Sequence, residues 1–221
     1  MPSPIGDNGG MSAAPAPRRE PRWPAIMAVL SVGGLYWALP ENLIPGPGWL
    51  ALALVIPLTI VSSILHRQSK YALNQIAGYT LLGVITAAMI SALALLIAAL
   101  PGHKQAPADL LRSAAALWMS NVLVFASWYW RLDAGGPNAR DLRGEHINGA
   151  FLFPQMTLVD RDRDWMPGFV DYLFLAFNTS TAFSPTDVPV LSRWAKGMMM
   201  VQSTISLTTL ALLAARAVNI L

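Results

Sequence analysis

The chain has 221 residues, of which 54% are hydrophobic and 12% charged, with a formal net charge of +3 and no cysteine. A soluble domain carries about 25% charged residues, so this composition, with a mean hydropathy of +0.46, marks an integral membrane protein. Its cations stand at the ends of apolar runs, where they act as topology signals rather than as a nucleic-acid surface, and without cysteine there are no disulfides, thiolate metal sites or thiol catalysis.

Residues 1–22, rich in Pro, Gly, Ala and Ser without a hydrophobic period, read as a disordered tail. Trp23 to Leu39 is a first span, broken at Pro40, and the turn PENLIPGPG joins it to a second span from Trp49 to Leu65. Ile76 to Leu100 is the longest apolar run, and Leu110 to Trp130 makes a fourth span that ends in the interfacial cluster SWYWR. Together, residues 23–131 form a four-span membrane bundle.

Residues 132–164, with DAGGPNARDLRGEH and DRDRD, read as a solvent-side loop. Residues 165–221 then hold a short apolar segment, Phe169 to Phe183, a polar turn containing SPTDVP, and a long final helix from Leu191 to Leu221. The expected fold class is all-α: a polytopic transmembrane helical bundle of five spans plus a short re-entrant helix or a sixth span. Helices follow from the bilayer, where backbone groups must bond within their own segment.

Arg22, Arg67, Lys70, Arg131, Arg140 and Arg143 fall on one side of this topology, and the positive-inside rule makes that side, with the N-terminus, cytoplasmic. The short helix then enters from the cytoplasm, unless Trp165 to Phe183 crosses completely as a tilted span, the fifth of six, or one earlier segment does not cross.

The stretch NTSTAFSPTD, Asn178 to Asp187, sets hydroxyls between two apolar segments. Thr179, Thr181 and Asp187 fall at the spacing of T-x-T-T-V-G-Y-G-D, with Phe183 in the valine place. On these residues the region from Asp171 to Arg216 resembles the pore helix, filter and inner helix of potassium-channel-like proteins, and it is also similar to a group of bacterial polytopic membrane proteins. The resemblance implies a re-entrant pore loop, an oligomer of identical chains and a permeant cation, with Thr179, Thr181, Ser184, Thr186 and Asp187 as pore or filter residues. Ser184, Pro185 and Thr186 replace the family's Gly, Tyr and Gly. Proline fixes φ near −65° where glycine would allow positive φ, so the carbonyl-lined filter, and potassium selectivity with it, do not carry over. The same residues also read as a helix start, with a hydroxyl cap, proline at the first helical position and an acid two residues later.

On the final helix Gln202, Ser206 and Thr209 form a polar stripe with Leu213 and Arg216, all within about 80° of one another. Such a stripe either lines a watery path or bonds one helix to the next; Asn121 and Ser120 in the fourth span admit the same two readings. Asp160, Asp162 and Asp164 match the first acids of a calcium loop, but Trp165 stands where that loop needs glycine, which leaves a solvated charge run. His66, His103 and His146 lie in separate turns without a catalytic motif, so neither enzymatic activity nor a cofactor is expected. The expected function is an ion-channel-like or pore-forming protein of the bacterial inner membrane, in contact with the lipid bilayer. The alternative is a non-conducting membrane scaffold or assembly protein.

Overall fold

The computed structural model describes residues 20–37, 39–44, 46–99, 107–143, 146–147, 149–158, 165–181 and 187–218. Seven α-helices follow one another among these residues: α1 (Trp23–Trp37), α2 (Trp49–Arg67), α3 (Tyr71–Ala99), α4 (Pro107–Leu132), α5 (Pro137–Arg143), α6 (Phe169–Thr181) and α7 (Arg193–Val218). The β-pairing among the described residues is confined to an isolated antiparallel bridge between Phe151 and Val190.

Four helices are long and apolar enough to cross a membrane, namely α2, α3, the stretch Ala108–Arg143 that contains α4, and α7. This is a membrane protein. At fifteen residues α1 is about 22 Å long and falls short of that length.

The first four helices alternate in direction, as hydrogen bonds at one end of the bundle establish. Asn138 accepts from Arg22, beside the start of α1, and meets His66 at the end of α2; its own amide donates to Asn74 at the start of α3. Arg131, at the end of α4, donates to the Asn74 carbonyl. The basic ends read from the sequence are therefore gathered at one place. The α2–α3 turn is tight enough to put Ser69 at φ 58°.

The core lies around α4, which packs against α1, α3, α6 and α7, while α2 packs on α3 and α1. Val122, Val124, Ala126 and Tyr129 of α4 are at most 1% exposed. Apolar burial cannot itself draw helices together in lipid, so close approach and interhelical hydrogen bonds must do so. Gly33 supplies one such approach, since a Cβ there would stand 2.7 Å from Leu52 on α2.

Two expectations need correction. The tail does not run to residue 22, because Glu20 bonds Arg140 and Trp130, and Arg22 pairs with Asp141. Residues 132–164 are also more than a solvent-side loop: Asp133, Arg140, Phe151 and Phe153 are all 3% exposed or less. Aromatic rings explain this burial, with Phe151 packed edge-on to Tyr129 and Tyr172, and Phe153 edge-on to Tyr172.

Candidate functional site

The short helix and the final helix start at the same end of the bundle. Phe169 opens α6 against the Trp130 ring, with centroids 5.9 Å apart, and the Tyr172 hydroxyl donates to Asp133 at 2.7 Å. At the other end of α6, Ser180 accepts from Asn121 at 3.4 Å, about 14 Å back along α4 from Trp130 by the helical rise. Residues 182–186, which include Ser184 and Thr186, lie outside the described residues. Beyond them the chain stands beside Phe151 again: Leu152 donates to the Pro189 carbonyl at 3.0 Å, Leu191 donates to the Ala150 carbonyl at 2.8 Å, and Trp194 packs on the Phe151 ring.

From there α7 runs alongside α6 in the same direction. Gln202 Nε2 donates to the Ala176 carbonyl and to Ser180 Oγ, both at 2.7 Å. Ser203 then reaches the Thr179 carbonyl at 3.3 Å, and the Ser206 hydroxyl donates to the Ser180 carbonyl. Partner numbers rise together, as they do between two parallel helices. Among the described residues, α6 and α7 thus run from the same end of the bundle in the same direction.

Polar side chains from three helices meet between these elements. Gln202 Oε1 accepts from the Tyr129 hydroxyl at 2.6 Å, its backbone carbonyl accepts from Asn121 at 3.2 Å, and Ser206 Oγ accepts from the Trp118 indole at 3.0 Å. Gln202, Ser206 and Thr209 are 0%, 1% and 0% exposed. Of the polar stripe, Gln202 and Ser206 join α7 to α4 and α6, whereas Thr209 bonds back to Ile205 within its own helix. In this chain the stripe faces protein, not an open path.

The other sequence-derived candidates are dispersed. Thr179 is 7% exposed and its hydroxyl bonds back to the Leu175 carbonyl at 2.8 Å. Thr181 bonds back to Asn178 at 3.0 Å in the last turn of α6, and Asp187 is exposed beyond the gap. Asp160, Asp162 and Asp164 lie outside the described residues.

Sequence reasoning passed over the partners that complete this centre. Tyr129 looked like an interfacial aromatic, and nothing set Ser180 apart from its neighbouring hydroxyls. The one available signal was Asn121, an amide within an apolar run. Its Nδ2 is bonded, but its Oδ1 is buried without a partner.

A second buried network ties the basic end together. Asp133, 0% exposed, accepts from His146 Nε2 and the Tyr172 hydroxyl at 2.7 Å each and from the Ala150 amide at 2.5 Å. Arg140, 1% exposed, donates to the carbonyls of Trp130 and Asp133 and to Glu20 at 2.9 Å. Burial holds the Arg22 guanidinium below its ordinary pKa, while Asp141 and Glu20 oppose that shift. A carboxylate with three donors already on it is a clamp rather than an acid–base group. This clamp anchors the 133–150 segment to α6. Comparison with protein-family models, with curated proteins and with solved structures finds no match for this chain.

Proposed function

We propose that the chain is a channel-like, pore-forming integral membrane protein that works as a homo-oligomer, with α6 as a re-entrant helix and residues 182–190 as the polar return beside the path. The observation that supports this reading is the shared direction of α6 and α7, both starting beside Phe151. A helix of thirteen residues is about 20 Å long, too short for roughly 30 Å of hydrocarbon. Irregular backbone at membrane depth survives only inside protein or along a watery cavity.

In this reading α2, α3, α4 and α7 cross fully, the shorter α1 is a fifth span accommodated by local thinning of the bilayer, and the basic end faces the bacterial cytoplasm. The loop then enters from the cytoplasmic side, opposite to potassium channels. Because Thr179 is buried whereas Thr181 is half-buried at the end of α6, lining in this reading falls to Thr181, Ser184 and Thr186, with Asp187 concentrating cations at the mouth. One short loop and one inner helix cannot enclose a path alone. The outward face of α7, where Met200 is 71% and Leu207 65% exposed, meets neighbouring copies or lipid.

The scaffold reading is favoured by a different observation, the burial of Gln202, Ser206 and Thr209 against protein. Cation flux from liposomes that carry purified, oligomeric, full-length chain separates the two. Channel function requires flux that falls about tenfold or more in Thr181→Ala or Asp187→Ala, a loss of the size that about 1.4 kcal/mol produces. Absence of flux from well-oriented oligomers selects the scaffold.

A further inference from the structure

A cavity of about 250 Å³ lies between α1, α2, α3 and α4 at the basic end, away from the α6–α7 centre. Ala25, Val29, Leu81 and Leu82 form its apolar wall. Its polar side carries Arg22, Arg67, Arg131 and His66, and no aspartate or glutamate is among the residues that line it.

The two inner guanidiniums are incompletely partnered. Arg22 pairs with Asp141 through Nη2, but its Nε and Nη1 are buried with no hydrogen-bond partner. Arg131 donates to the Asn74 carbonyl at 3.3 Å and, among the described residues, has no ion pair with a carboxylate. Both lie over the Trp130 ring, 5.4 Å and 5.7 Å from its centre. Room for Arg131 comes from Gly78, because a Cβ there would strike the guanidinium. Of these two partly buried cations Arg22 is paired with the Asp141 carboxylate, and a further anion with hydrogen-bond acceptors would offset more of their desolvation.

We infer that this cavity binds a phosphate-type oxyanion, held by the guanidiniums of Arg131 and Arg22, with Arg67 and His66 beside it. Guanidinium forks match phosphate oxygens in geometry and charge, and basic pockets between membrane helices take anionic head groups. The oxyanion has two possible sources. One is the phosphodiester of an anionic lipid, whose glycerol and first methylenes rest on the Val29 and Leu81 wall; the other is free inorganic phosphate.

The test uses delipidated full-length chain in neutral detergent, with the thermal midpoint titrated at constant ionic strength by phosphatidylglycerol, phosphatidylcholine or inorganic phosphate. A saturable rise with phosphatidylglycerol but not phosphatidylcholine is expected. A matching rise with inorganic phosphate assigns the site to the free anion, and none assigns it to the lipid. Arg131→Gln weakens the apparent affinity about tenfold or more, while Lys196→Gln, which removes an exposed cation outside the cavity, leaves it unchanged. Should Arg131→Gln fail to fold, Gly78→Ala, which keeps both charges and displaces the guanidinium, serves in its place and shows the same weakening. The inference is overturned if folded wild-type protein shows no saturable rise with either anion, if the cavity variant binds as well as wild type, or if Lys196→Gln loses as much affinity.

Discussion

Replacing Gln202 by methionine separates its two sequence readings, as packing group and as path lining. The side chain is 0% exposed and makes three hydrogen bonds, to Ala176, Ser180 and Tyr129, at 2.7, 2.7 and 2.6 Å. Methionine keeps the length and the helix propensity but neither donates nor accepts strongly. Interhelical hydrogen bonds in membranes contribute about 0.6 kcal/mol each, so three give about 2 kcal/mol. The stranded Tyr129 hydroxyl costs a further 1–3 kcal/mol or so, and the expected loss is about 3–5 kcal/mol. Reversible unfolding by titrated SDS in mixed micelles measures it, followed through the fluorescence of the chain's eight tryptophans. Adding Tyr129→Phe completes a double-mutant cycle with a coupling of about 0.5–1.7 kcal/mol. A loss below about 0.5 kcal/mol, or altered cation flux at unchanged stability, would refute the reasoning and return Gln202 to the wall of a path.

Asp133→Asn leaves one oxygen where two accept from His146, Tyr172 and Ala150; the expected loss is about 1–3 kcal/mol, seen as faster proteolysis between residues 133 and 150, and wild-type protection there would contradict the clamp. Gly136→Ala meets both a φ of +87° and a Cβ that would stand 2.5 Å from the Arg131 carbonyl oxygen. Its expected loss is about 1–3 kcal/mol, and an unchanged thermal midpoint would show that the turn relaxes freely.

The four long spans were legible because the bilayer makes length and apolar content decisive. Even so, α3 starts at Tyr71 rather than Ile76, since Asn74 and Gln75 disguise its first turn. The short length of α6 was legible too, but its direction relative to α7 was not, because sequence order does not say where a chain returns. Periodicity placed Gln202, Ser206 and Thr209 on one face without revealing what that face meets. The clamp was the least legible part: Glu20 and Arg140 are 120 positions apart, so only the completed topology makes them neighbours. An acid in a Pro-rich tail and an arginine in an apparent loop carry no signal that they belong together.

The helix at the centre of the bundle also bears on how the protein is made. The span containing α4 is the least apolar of the four long ones and the most enclosed, with 61% of its window inside the fold. Asn121 and Tyr129 on that helix find their partners on α6 and α7, which leave the ribosome later. For the interval between, α4 sits in the bilayer with an unmatched amide and phenol, sheltered by α1 and α3 alone. The polar groups of α4 are therefore satisfied only once α6 and α7 pack beside it, and a chain truncated before α6 is expected to leave Asn121 and Tyr129 without these partners.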